Sequence, residues 1–473
     1  MEPTSLARLL LEHPAADGEA LLHSVRETLS AGAAREQARA VAAVLRDAGV
    51  APGRAVAVQL PNGPDAITAM FGVWIAGAVF VPVNPRSPDA ERAHLLDATH
   101  PAALLTPDGL ELLAGPSTYA ADVAFVTWTS GTTGMPKPVL HTHANYLELL
   151  DRVLAPLRGS SSGDPARRPT PNLVPVSLAL NAGIYNVLFG LRAGAEVVVM
   201  DGFDPRVFAV LVDRFAIRST VLPPAAMAML NDDTEVVDLA PLRYVRSITA
   251  PLSPLQARRF ADKFGVVVLN GYGQAEIGEV IGWTAADARE HPDKLGAVGR
   301  PHPGVSIRIA AAEAGPDAIG PDAIGRLLVR PPSTAVGIAA NRVDADGFVD
   351  TGDLARIDDD GFVWIEGRAS DVINRGGNKV FPEHVEEVLR LVPGVAEAAV
   401  VGVPDDRLGE IPVAYVVTTG AVTDEELVAT CRAHLAPYKV PAAFRRVDAL
   451  PRSEVGKVLR RDLAQRSVDP VEG

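Results

Sequence analysis

Along the first two thirds of the chain, short apolar runs alternate with segments of helical periodicity. "RAVAVQL" precedes "DAITAMFGVWIAG", "AEVVVM" precedes "DPRVFAVLVDRFA", and "VVVLN" follows "SPLQARRFADKFG". Alternation of this kind predicts an α/β fold with largely parallel sheets. From about Gly296 the pattern shortens to "VSIRI", "GRLLV", "GFVDTGD" and "GFVWIEG", punctuated by Gly, Pro and Asp, which predicts an antiparallel β region. After Gly367 a block of about a hundred residues follows, with strands at "AEAAVVGVP" and "IPVAYVVT" and a helix at "TDEELVATCRAHL". The expected architecture is a large N-terminal domain of α/β sheets plus a β region, residues 1–369, then a small mobile α+β domain, residues 370–473. The tandem "GPDAIGPDAIG" (Gly315–Gly325) reads as a lengthened surface loop.

Ala66 to Pro85 carries no charge, but Gly72, Gly77 and Pro82 interrupt it, so it reads as a buried helix passing into a buried strand. The N-terminus lacks the apolar run of a signal peptide. A soluble cytoplasmic protein with no membrane span is therefore expected. The chain has 473 residues, is 48% hydrophobic and 22% charged, and carries a formal net charge of −14. That acidity argues against broad nucleic-acid or anionic-membrane binding, so anionic ligands need locally basic sites. The single cysteine, Cys431, excludes a disulfide framework and reads as a small buried hydrophobe.

"TWTSGTTGMPKPVLHTH" (Thr127–His143) raises the question of chemistry. Glycines let backbone N–H groups converge on an anion, yet the Gly131–Gly134 spacing, the displaced Lys137 and Pro138 do not fit a Walker A loop. His141 and His143 have no evident third ligand and read as packing or capping residues. Four further stretches complete the pattern: "NGYGQAEIG" (Asn270–Gly278), "DTGD" (Asp350–Asp353, an acid expected at a strand end), "GRASDVINRGGNKVFPEHVEEVL", and "PRSEVGKVLRR" (Pro451–Arg461) with a lysine in a turn.

In this order and spacing the five stretches resemble the adenylate-forming superfamily of acyl-CoA synthetases, peptide-synthetase adenylation domains and luciferases, over nearly the whole chain. The resemblance implies ATP-dependent activation of a carboxylic acid to an acyl-adenylate with release of pyrophosphate. It implies that Thr129, Ser130, Gly131, Thr132, Thr133, Gly134 and Lys137 surround the β- and γ-phosphates. Tyr272, with Gly273 and Gln274 beside it, would lie on the adenine, and Glu276 would hold Mg²⁺. Asp353 would bind the ribose hydroxyls with Arg368 nearby, and Lys457 would bridge the substrate carboxylate and the α-phosphate. Positive charge and aligned donors are what two converging anions require. The resemblance also implies a hinge, at Ser370 where Asp or Lys is usual, and a thiol path past Gly377.

Ala275 replaces a common threonine, and Pro138 a common glycine. The acid pocket would be lined by Leu178, Asn181, Gly183, Ala250, Pro251, Leu252, Gly271 and Ile277. "VSLALNAGIYNVLFG" holds no acid to pair an α-ammonium, and an unpaired buried ammonium is expensive. An aryl or short-to-medium aliphatic acid is expected. Coenzyme A is the expected acceptor; a carrier-protein pantetheine or an amine are alternatives. A non-catalytic nucleotide or acyl-adenylate binder is the reading from a different class.

Overall fold

A computed structural model describes residues 5–129, 137–159, 169–311, 323–338, 340–452 and 458–468. The chain packs as two compact units. The first comprises residues 1–295, 301–306 and 331–341; the second comprises 296–300, 307–330 and 342–473. The expected hinge at Ser370 falls inside the second unit.

In the first unit, one sheet has the order Gly109–Leu112, Ala103–Thr106, Ala55–Val58, Val79–Pro82, Val123–Thr129, Lys137–Thr142 among the described residues. Its inner strands are parallel and both edges are antiparallel. The helix Ala31–Asp47 is capped by the Ser30 hydroxyl, which accepts from the Ala33 N–H. It buries Ala31, Ala34, Ala38, Ala42 and Leu45, the spacing of one helical face. It packs against the helix Pro64–Ile75, which continues into the wholly buried strand Val79–Pro82. The uncharged stretch is thus core, and no helix among the described residues is long and apolar enough to cross a membrane.

A second sheet is parallel through Leu22, Val197–Val199, Asn172–Val174, Ser219–Val221, Tyr244–Ser247 and Val267–Asn270. The "VVVLN" strand then leaves that ladder at Gly271 and turns back antiparallel against Gly278–Gly282.

The second unit begins with the expected antiparallel β region, in the order Ser306–Ala311, Gly325–Arg330, Val349–Ile357, Val363–Arg368. The duplicated "GPDAIGPDAIG" lies outside the described residues as far as Asp322. After a 3₁₀ turn at Ala369–Asp371, Ile373–Arg375 starts another sheet, whose long hairpin pairs Val395–Asp405 with Gly409–Thr418. That sheet has its own core, including Val385, Leu389, Val400, Ala414, Leu427 and Cys431. The helix Asp424–His434 starts with a Thr423–Glu426 capping box. Cys431 is buried, and burial pushes its thiol up to about 11, as expected of an inert apolar residue.

Candidate active site

Thr129 and Lys137 are cross-strand partners closing a hairpin at the carboxyl end of a parallel strand, where α/β sheets bind their ligands. Ser130, Gly131, Thr132, Thr133 and Gly134 lie between them, outside the described residues. The hairpin's base is held by a buried Thr127 Oγ1–His141 Nε2 hydrogen bond of 2.8 Å. The His141 ring stacks on Phe125 with centroids 4.6 Å apart, and burial lowers its pKa to about 3. His143 opens the helix His143–Gly159, and its Nδ1 accepts from the Leu6 N–H at 3.1 Å. Burial lowers the His143 pKa to about 4, despite the opposing charge of Asp122. Both histidines therefore serve packing and capping.

The second hairpin explains the glycines of "NGYGQAEIG". A Cβ on Gly273 would sit 2.2 Å from the Gly278 carbonyl oxygen and 2.7 Å from Glu279 Cα. Only glycine lets the strands approach so closely, at a bulge between Tyr272 and Gly273. Gln274 Nε2 lies 3.3 Å from the Tyr272 hydroxyl. Glu276 sits in the turn, where its carbonyl accepts from the Ala335 N–H at 2.8 Å. His141, Asn145, Arg152, Ala275, Glu276 and Thr334 border one small cavity in the first unit, so the structure brings the second hairpin's turn beside the first hairpin. Among the described residues no cluster of three or more metal-ligating side chains occurs.

Asp353 is buried within the strand Val349–Ile357 rather than at a strand end, because pairing with Val363–Arg368 continues past it. Arg368, its register partner, places Nε 2.7 Å from Asp353 Oδ1. Ser370 is exposed and its hydroxyl donates to Asp371 at 2.8 Å. Gly377 occupies the Arg375–Asn378 turn with φ +88°, and a Cβ there would meet nothing within 4 Å. Lys457 lies outside the described residues. Its neighbour Arg460 is held by Glu383 at 3.0 Å, by Asp371 at 3.5 Å and by Glu386.

Of the expected pocket residues, Leu178 is buried in the first unit's main core and Leu252 in a second core. Pro251 is exposed and Ala250 half-buried. Asn181 opens the helix Asn181–Arg192, where it accepts from the Tyr146 hydroxyl at 2.9 Å. Gly183 is buried two residues further along it. Beside Gly271 and Ile277 lies a buried polar cluster that sequence reading did not single out: Arg152, Tyr185, Arg246, Glu279 and His302. Glu279 Oε1 is 3.1 Å from His302 Nε2 and 3.5 Å from Arg246 Nε. The signal was present in "AEIGEVIG", where Glu279 breaks an otherwise apolar strand.

Residues 11–121 and 111–338 match the AMP-binding enzyme family, and residues 384–457 match the AMP-binding enzyme C-terminal domain. The chain belongs to this adenylate-forming family, among AMP-forming acid–CoA ligases. It is 33% identical to 4-coumarate–CoA ligase-like 9 of Oryza sativa subsp. japonica, across 91% of this chain and 86% of that one. Its fold matches o-succinylbenzoate CoA synthetase (MenE) from Bacillus subtilis in complex with an acyl-adenylate intermediate. That match has a TM-score of 0.84 and 25% identity, and covers 100% of this chain and 99% of that one. It also matches the amide bond synthetase McbA from Marinactinospora thermotolerans, with a TM-score of 0.84 and 27% identity over 98% and 99% of the two chains.

Proposed function

We propose that this enzyme activates a carboxylic acid with ATP, releasing pyrophosphate, and transfers the acyl group of the resulting adenylate to the thiol of coenzyme A. The observation that carries the reading is the buried Asp353 with Arg368 at 2.7 Å. It is a carboxylate acceptor fixed by a guanidinium, suited to a vicinal diol such as ribose. Tyr272 supplies an aromatic face for the base, and Lys137 a cation beside the phosphates. Glu276 supplies a carboxylate in the turn of the second hairpin, which fits Mg²⁺ carried on phosphate oxygens with one or two protein carboxylates. When bound, the ion would neutralise phosphate charge.

Attack of the substrate carboxylate on the α-phosphorus breaks the bond to the β-phosphate oxygen, and pyrophosphate leaves. Lys457 would offset the charge that builds there. In the second step the thiol adds to the acyl carbon and AMP leaves. Rotation at Ser370 would exchange Lys457 for the face that bears Gly377.

Transfer to an amine is the second reading, favoured by the likeness to the amide bond synthetase; a carrier-protein pantetheine is a further acceptor of the same chemistry. Mass spectrometry of ATP with a panel of acids tests these readings, with coenzyme A, holo-carrier protein and amines offered in turn. Acid-dependent AMP and pyrophosphate with a coenzyme A thioester are expected. Amide or carrier-bound product alone would replace the acceptor, and ADP in place of AMP would overturn the reaction.

A further inference from the structure

The buried polar cluster is incompletely satisfied. Glu279 Oε2, the Tyr185 hydroxyl, and Arg152 Nε and Nη1 are buried with no hydrogen-bond partner. All three residues are more than nine-tenths buried, at 7%, 6% and 5% exposure. Native interiors rarely leave such groups unspent, so each calls for an explanation. Arg152 does carry one hydrogen bond, to the Ile277 carbonyl at 3.2 Å, and its Nη1 lies 3.7 Å from Glu148. Three unmatched groups from three different elements nevertheless converge.

Their position links them to the acid pocket. A Cβ on Gly271 would lie 3.1 Å from Glu279 Oε1, so the carboxylate packs directly against the strand at Gly271. Arg152 holds the carbonyl of Ile277, and Tyr185 lies one turn beyond Asn181 and two residues past Gly183 on their helix. Elements expected to line the pocket thus also supply the cluster, and Arg152 borders the cavity that contains Ala275 and Glu276.

The charges narrow the ligand. Burial alone would raise the Glu279 pKa, but Arg246, His302 and Arg152 more than reverse this, so it is an ionised acceptor. A distal carboxylate would face that acceptor, and an ammonium would face two guanidinium groups. A hydroxyl donates to one side and accepts from the other.

We propose that Glu279, Tyr185 and Arg152 form a polar receptor at the far end of the acid pocket, and that the substrate is a carboxylic acid bearing a distal hydroxyl. The substrate hydroxyl donates to Glu279 Oε2 and accepts from the Tyr185 hydroxyl, with the Arg152 guanidinium alongside. This rests on the acid-activating function proposed above.

The test measures kcat/KM for pyrophosphate release with full-length enzyme. It uses aryl and ω-substituted aliphatic acids in matched hydroxy, deoxy, methoxy and carboxy forms. The best hydroxy acid is expected to exceed its deoxy partner by at least about 10²-fold, since a pocket built for a hydroxyl rejects analogues lacking it. Tyr185→Phe removes an oxygen that makes no internal hydrogen bond, so the variant should melt normally. It should narrow the hydroxy-to-deoxy ratio at least tenfold through loss on the hydroxy acid. Glu279→Gln should do the same where it folds.

Equal or better activation of deoxy or methoxy acids, preference for the carboxy form, or an unchanged ratio in Tyr185→Phe would each overturn this assignment alone. Absence of acid-dependent pyrophosphate release with every acid would overturn the activity itself, and the receptor with it.

Discussion

His384 Nε2 lies 2.5 Å from Glu366 Oε2, joining the helix after Ser370 to the strand before it. Arg356 Nε takes the other carboxylate oxygen at 2.8 Å. Burial would raise the Glu366 pKa, but the His384 hydrogen bond and the Arg356 guanidinium bring it below the usual value. A carboxylate depressed on folding stabilises above its unfolded pKa and loses that contribution as pH falls through the folded one. His384→Ala should therefore lower stability by ~1.5–3 kcal/mol at pH 7, the range for hydrogen bonds to charged groups. The gap from the parent should close in acid, as pH falls below the usual glutamate range and through the lowered folded value, where Glu366 protonates. Urea unfolding at pH 7 and in acid checks this; a gap that persists in acid would mean the loss is one of packing.

Asp353→Ala should weaken AMP and ATP binding roughly 10–100-fold, the equivalent of one charge-assisted hydrogen-bonding group. Arg368→Lys keeps the cation but loses the planar fork, so its loss should be smaller. Calorimetric titration with AMP measures both. Unaltered affinity in Asp353→Ala would remove this residue from the nucleotide site.

Gly377 has a reason of its own to be glycine. At φ +88° a side chain such as leucine carries strain of roughly 1–2 kcal/mol, whereas asparagine tolerates the left-handed region. Gly377→Leu should melt lower than the parent and Gly377→Asn close to it. Both should keep acid-dependent pyrophosphate release and lose thioester formation. Normal transfer in Gly377→Asn would mean that the thiol path does not require glycine there.

Arg460 and Lys457 should separate folding from chemistry. Burial tends to lower the Arg460 pKa, but Glu386, Glu383 and Asp371 hold it above the usual value. Removing one partner of a fully buried pair costs about 3–5 kcal/mol; Arg460 is half-buried and its partner Glu386 buried, so Arg460→Met should unfold earlier by a smaller amount. Lys457→Ala should melt as the parent does while losing roughly 10²–10³ in adenylate formation, with thioester formation from supplied acyl-adenylate largely spared. Equal loss in both half-reactions would assign the lysine a structural role.

His141 and His143 are neutral in the fold, with pKa values near 3 and 4. A histidine depressed on folding stabilises fully above its unfolded pKa, near 6.5, and loses that contribution as pH falls toward the folded one. Stability should therefore fall by up to about 1.4 kcal/mol per pH unit for each such residue between roughly pH 6.5 and 4. His141→Gln should flatten that slope by about one proton. A parallel curve would mean that His141 already titrates normally.

The sequence made the strand–helix alternation legible because buried parallel strands must be apolar throughout and their crossover helices amphipathic on one face. The hairpins were legible through glycine: Gly273 has no room for a Cβ. Asp353 was harder to place, because nothing local says that pairing with Val363–Arg368 carries the strand past it. The cluster around Glu279 was hidden for a different reason. Arg152, Tyr185, Arg246 and His302 come from four segments separated by up to 150 positions, and each reads locally as an ordinary helix or strand residue. Only the fold brings them to one carboxylate.

The threading of the chain limits how this enzyme can be cut. Residues 301–306 and 331–341 return to the first unit after the chain has already entered the second, so no single break yields both as whole polypeptides. An expression fragment ending at Leu295 would lack His302, which holds Glu279 at 3.1 Å, and Ala335, which holds the Glu276 carbonyl at 2.8 Å. Truncation there would expose a buried carboxylate and release the turn that carries Glu276. A fragment ending near Ser370 retains both contacts and is the earlier stopping point worth cloning.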